Sequence, residues 1–91
     1  MIRRQMKGEQ VRITFAIPED VPAGRVSVVG DFNDWTPGVH TMIKRANGMR
    51  SVAVTVPTGT VTRFRYLGEN GRWFDDPDAD ARDREDGVLI V

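Results

Sequence analysis

The chain of 91 residues has no cysteine, which removes disulfide staples and thiol chemistry together. It has one histidine, His40, and with no cysteine beside it a zinc ion would find no donor set. No run of apolar residues approaches the length needed to cross a bilayer. The basic start Met1-Ile2-Arg3-Arg4 is not followed by an apolar segment either, so neither a leader nor a membrane contact is expected. Net charge is zero and no concentrated basic stripe is visible, which argues against a nucleic-acid partner. The lack of cysteine fits a reducing compartment, so a cytoplasmic location is expected. No cofactor is expected.

What is present is one small domain's worth of chain. A chain of this size buries only about 60–65% of its unfolded surface, so its core must be compact. The charges are segregated along it. Residues 1–74 carry eleven Lys or Arg against six Asp or Glu, whereas residues 75–91 carry two against seven. The acidic segment 75–87 reads as a solvated loop. A retaining glycosidase would need two carboxyls held about 5 Å apart on rigid elements, and a loop of this kind offers no such scaffold. Catalysis is therefore not expected. Asp76, Asp78 and Asp80 alternate like the start of a calcium loop, but the glycine and terminal glutamate of that motif are missing, and no metal site is expected.

The apolar residues repeat with period two. Val11, Ile13, Phe15 and Ile17 alternate with polar or small residues, the signature of a half-buried strand. Further strands are expected at Arg25–Gly30, Val39–Ala46, Met49–Val56, Val61–Leu67, Arg72–Phe74 and Gly87–Val91, with residues 1–8 a loose tail. Asn47-Gly48 marks a hairpin with a two-residue loop. That register sets Ile43 opposite Val52, Thr41 opposite Val54 and Val39 opposite Val56, with Arg45 opposite Arg50 as a like-charge pair. Phe64 and Tyr66 are expected inside, Arg63 and Arg65 outside. Seven short strands without helical periodicity predict an antiparallel β-sandwich over residues 9–91.

The β-branched run Val26–Val29 leads into Gly30-Asp31-Phe32-Asn33-Asp34-Trp35-Thr36-Pro37-Gly38, a turn with two aromatic residues in it. Trp35 either folds back as a lid on the core or presents its ring flat to solvent. Trp73 and Phe74 are neighbours on one strand, so one faces inward and the other outward. Phe74 is the more natural core residue.

The ordered set Val28-Val29-Gly30-Asp31-Phe32-Asn33-Asp34-Trp35, Phe64-Arg65-Tyr66, Gly71-Arg72-Trp73 and Asp76-Pro77 resembles the isoamylase early-set domain, the family-48 carbohydrate-binding module. That resemblance covers roughly residues 9–91. It implies an immunoglobulin-like sandwich that binds α-1,4-glucans such as glycogen, starch or maltooligosaccharides without catalysing their hydrolysis. It also implies that Trp35 and Trp73 stack on glucose rings and that Arg65 stands where binding members carry a lysine. Asn33 and Asp86 complete the candidate set of sugar contacts. The sequence departs from the pattern at Asp86-Gly87, where binding members have asparagine, and Asp86 is expected to draw Arg65 away from a ligand. The physics of the sugar agrees with the aromatic half, since a pyranose offers an apolar C–H face and a rim of hydroxyls. The rival reading is a protein-interaction module with a degenerate sugar site, partnering a glucan-active enzyme.

Overall fold

The computed structural model describes residues 1–91, apart from the side chain of Asn70. In chain order the strands are β1 (Ile2–Lys7), β2 (Gln10–Pro18), β3 (Val26–Gly30), β4 (Ile43–Lys44), β5 (Met49–Pro57), β6 (Val61–Gly68), β7 (Trp73–Phe74), β8 (Ala81–Asp83) and β9 (Asp86–Ile90). The only helical turns among the described residues are two short 3₁₀ turns, Asp31–Asn33 and Glu69–Gly71. One sheet has the order β1-β2-β5-β4 and the other β3-β6-β9-β8, with β7 also paired to β6. All pairings are antiparallel. The molecule is the expected β-sandwich, with more strands than the seven read from the sequence.

The period-two pattern accounts for the layers. Val11, Ile13, Phe15 and Ile17 are buried, and the first three face Val56, Val54 and Val52 across the β2–β5 ladder. The opposing sheet contributes Val26, Val28, Phe64, Tyr66 and Leu89. Phe15 and Phe64 meet at 4.9 Å between ring centroids, and Tyr66 meets Phe74 at 5.2 Å. Each such side chain contributes roughly 1.5–3 kcal/mol on burial, so this aromatic seam across the two sheets is a main cohesive element. Arg65 and Arg63 are left on the outer face of β6, as expected.

Four details differ from the sequence reading. Residues 1–8 are not a loose tail, because β1 pairs with β2 from Ile2 opposite Phe15 to Lys7 opposite Gln10. The hairpin loop has three residues rather than two. Arg45 N–H donates to the Met49 carbonyl at 2.7 Å, Met49 N–H donates to Asn47 Oδ1 at 3.1 Å, and Gly48 takes the left-handed φ of 78° that closes such a loop. Ile43 consequently faces Ser51, and Lys44 rather than Arg45 faces Arg50. A slip of one residue turns every side chain over, so Met42 is buried and Ile43 exposed.

The third difference lies upstream in the same segment. Val39–Ala46 is not one strand, because its first half leaves β5 for β3. Val28 N–H donates to the His40 carbonyl and Met42 N–H to that of Val26. Finally, the acidic segment is not simply a solvated loop. It contains β8, and Asp76 is only 3% exposed.

Asp76 is buried with both of its carboxylate oxygens hydrogen-bonded. Its carboxylate accepts from the Tyr66 hydroxyl at 2.7 Å, from Asp78 N–H at 2.8 Å and from the Met1 amine at 2.9 Å. Burial pushes its pKa up, but those hydrogen bonds outweigh burial and hold it below the ordinary carboxylate value. Burial first, and then the neighbouring Asp76 carboxylate, push the Tyr66 phenol far up, so it remains a donor. Asp80 is also depressed, first by the Ile90 N–H it accepts and further by Arg4.

A carboxylate depressed in the folded state binds its proton more tightly when unfolded, so its stabilisation is complete above the unfolded pKa of about 4 and is lost as pH falls below that. The urea midpoint should therefore be level above about pH 5 and decline through the acid range, with a shallower decline in Asp76→Asn. An acid-insensitive midpoint in the parent protein would contradict the assigned role of these two carboxylates.

Candidate functional site

The turn after β3 is assembled from its own side chains. Asn33 Oδ1 accepts from Gly30 N–H at 3.1 Å, which makes its Nδ2 the donor to the Val28 carbonyl and to His40 Nδ1, both at 2.9 Å. Its amide is thus taken up within the fold, and Asn33 supports the site through the turn it holds. Asp31 accepts from Arg63 N–H at 3.1 Å, tying the turn to β6. The two aromatics of the turn divide their roles. Phe32 packs beneath, against Phe15 and edge-on to His40.

Trp35 is 38% exposed. Asp34 and Trp35 both have left-handed backbone, with φ of 54° and 55°. For non-glycine residues that conformation costs roughly 1–2 kcal/mol each, and it persists only where the surroundings over-determine it. Here the Trp35 N–H bonds to the Gly30 carbonyl at 2.9 Å and the Thr36 N–H to that of Asn33 at 3.1 Å. Backbone strain therefore accompanies the placement of a large ring in solvent.

Trp73 pairs with Leu67 and Phe74 with Tyr66, so Trp73 points outward from β6 and Phe74 inward to the core. Trp73 is 46% exposed. Arg65, two residues along β6 from Leu67, shares that outer face and places its guanidinium carbon 5.5 Å from the centre of the Trp73 ring. The guanidinium is held from the other side by two carboxylates. Its Nε donates to Asp86 Oδ1 at 2.8 Å, and a terminal nitrogen reaches Glu85 at 3.0 Å. Trp73, Arg65 and Glu85 line an open groove of about 510 Å³, with Asp75 and Arg82, themselves paired at 2.7 Å, along its wall.

The strand register explains the departure at Asp86-Gly87. Gly87 faces Phe64, and a Cβ there would lie 2.7 Å from the Phe64 ring, so this inward position has no room for a side chain. Asp86 is the neighbour that points outward, toward Arg65. The structure thus brings Trp73 and Arg65 together at one groove, with Asp86 beside them as a partner of Arg65. Trp35 stands on the far side of β6, after β3, and Asn33 lies beneath it in the turn.

The sequence reading missed Glu85. It stands in an acidic run that looked like solvated surface, and only the β8–β9 pairing of Asp83 with Asp86 carries it to the groove. The supposed calcium spacing is used otherwise. Asp76 serves Tyr66, and Asp80 pairs with Arg4 at 2.6 Å. No helix among the described residues is long and apolar enough to cross a membrane.

No family model matches the chain. It is similar to the 1,4-alpha-glucan branching enzyme GlgB 2 of Xanthomonas campestris pv. campestris, with 35% identity over 86 residues, covering 91% of this chain and 11% of that enzyme. It is 46% identical over 50 residues to the branching enzyme GlgB of Rhodopseudomonas palustris, covering 54% of this chain and 7% of the enzyme. It is 30% identical over 67 residues to an amylopullulanase of Thermoanaerobacter thermohydrosulfuricus, covering 69% and 4%. The chain therefore spans about a tenth or less of the length of these relatives. What it shares with them is a small region of proteins named for action on α-glucans.

Gly87 offers a check on this geometry. Gly87→Ala forces a methyl against the rigid Phe64 ring, and overpacking of this kind costs typically about 1–3 kcal/mol. The urea midpoint of the variant should fall accordingly. An unchanged midpoint would mean that position 87 does not face the core, and the outward assignment of Asp86 would fall with it.

Proposed function

We propose that this domain is a non-catalytic α-glucan-binding module whose ligands are glycogen, starch or maltooligosaccharides. The observation that carries the reading is the outward placement of Trp73 beside Arg65 at the mouth of an open groove, with Trp35 exposed on a strained turn across β6. Aromatic rings receive the apolar faces of glucose units, while Arg65 donates to hydroxyls at their rim. The similarity to branching enzymes and an amylopullulanase supports the α-glucan class. Asp86 and Asn33 take unequal parts. Asp86 holds Arg65 beside the groove and can only accept hydrogen bonds, whereas Asn33 shapes the turn beneath Trp35. A cytoplasmic location belongs to the same reading, as does action without hydrolysis or transfer of glycosidic bonds.

One observation favours a second reading, in which the domain packs against a separate glucan-active enzyme and the sugar site is degenerate. The polar half of the groove is already satisfied by the protein itself, because Arg65 spends donors on Asp86 and Glu85. A partner enzyme should then protect the same tryptophans from quenchers, whereas maltoheptaose should not.

Under the glucan reading, maltoheptaose should shift the tryptophan fluorescence and glycogen should retard the protein in affinity gels. Dissociation constants should fall between tens of micromolar and millimolar, or about 4–6 kcal/mol. Trp35→Ala should lose about 1–3 kcal/mol of binding while the fold survives, by analogy with stacking of bases on aromatic rings. Unfolding of Trp35→Ala would instead make that ring a lid on the core.

Asp86→Asn restores a donor at the groove and should tighten maltoheptaose binding by about 1 kcal/mol in calorimetry, the net worth of an ordinary hydrogen bond. Unchanged or weaker binding would show that Asp86 does not meet the sugar.

A further inference from the structure

Trp73 is presented to solvent, yet the ring face at the groove is not free. The Arg65 guanidinium stands 5.5 Å from the ring centre, within reach of the attraction between a cation and an aromatic face. Arg65 is held there by carboxylates of the β8–β9 turn and the start of β9. Asp86 grips Nε at 2.8 Å and Glu85 grips a terminal nitrogen at 3.0 Å. The two grips differ in kind. Asp86 is partly buried beside Arg65, whereas the Glu85 side chain is 79% exposed. A solvent-facing ion pair of the second kind is weak and screened by salt.

We propose that Arg65 is a latch over Trp73, closed by Asp86 and set by Glu85, and that a glucan binds by displacing the guanidinium from the ring face. This inference rests on the α-glucan reading for the identity of the ligand, but the latch itself exists without ligand. The stacking face and the polar donor of the site are one mutually satisfied unit at rest. Glu85 is a positioning residue. It touches Arg65 and acts on the ligand only through it.

Three consequences follow from the charges around the latch. Arg63 lies beside it, paired with Asp83 and 3.8 Å from Asp86, and competes with Arg65 for the Asp86 carboxylate. Removing the Glu85 charge loosens the latch without disturbing the core, since that side chain is mostly in solvent. Added salt acts in the same direction. Glucan affinity should therefore rise with ionic strength, the opposite of what a site with Arg65 preorganised toward the sugar would show.

The test uses Trp35→Phe, in which Trp73 is the single tryptophan, with and without Glu85→Gln. Acrylamide quenching reads access to the ring in the absence of sugar, and maltoheptaose titration reads binding. Glu85→Gln and added sodium chloride should each increase quenching and tighten maltoheptaose binding roughly two- to fivefold, the range of an exposed ion pair. Quenching that ignores both changes overturns the latch, whether or not maltoheptaose binds. Increased quenching with unchanged or weaker maltoheptaose binding overturns the competition between sugar and guanidinium. Maltoheptaose is also titrated against the parent protein and Glu85→Gln with Trp35 in place, and increased quenching with no binding even there supports the latch and overturns the glucan reading instead.

Discussion

The buried Asp76 carboxylate is the contact on which the arrangement of the outer face depends. A carboxylate taken out of water is costly unless hydrogen bonds replace its hydration. Asp76 meets that condition through the Tyr66 hydroxyl, the Asp78 backbone and the Met1 amine. Tyr66 belongs to the aromatic seam of the core, so the bond fixes the start of the acidic segment directly to β6. From that anchor the chain runs to Asp80, whose carboxylate takes Arg4 and the Ile90 N–H, and then into β8 and β9. The carboxylates that reach Arg65 come from the turn between those two strands and the first residue of β9. An acidic run that began unanchored would have no reason to deliver Glu85 and Asp86 to the groove.

The segregation of charge along the sequence is thereby converted into pairing in space. Arg63, Arg65 and Arg82 find Asp83, Asp86, Glu85 and Asp75 on the face of one sheet. Individually such exposed pairs add little stability. Their effect is geometric, since each restricts where a long cationic side chain can lie. That restriction brings a guanidinium to an exposed tryptophan.

Much of this could be read from the residues themselves. Alternation in Val11–Ile17 and Val61–Leu67 gave the two layers, and the larger inward appetite of Phe74 turned Trp73 outward. The hairpin was misread because Asn-Gly fits a two-residue loop and also a three-residue loop with glycine in its left-handed position. Local propensity cannot separate those cases, and the choice was made by Met42, which is buried only in the second. The switch of residues 39–42 from one sheet to the other leaves no periodic signal at all. β1 was missed because Arg3, Arg4, Gln5 and Lys7 mask any alternation on an exposed edge strand, where charge is a common guard against unwanted pairing. Glu85 was invisible for a different reason: its function depends on a partner twenty residues away.

Arg50 shows the same limit at the other end of the sandwich. The β2–β5 register places it inward beside Ile17, where an apolar residue would be expected, and it is only 4% exposed. Its terminal nitrogens donate to the Pro22 and Gly24 carbonyls, binding the β2–β3 loop to the sheets, while its Nε has no partner. Among the described residues no carboxylate lies within ion-pair distance of it, so by itself this arrangement is a poor source of stability. It specifies a conformation. The loop contains one proline and one glycine, and its two carbonyls bound to one planar group orient it as a unit. Asp76 and Arg50 thus play parallel parts, each a buried charge that pins an irregular segment to a regular core. The difference is that the segment pinned by Asp76 carries the latch, and satisfaction of that carboxylate is correspondingly complete.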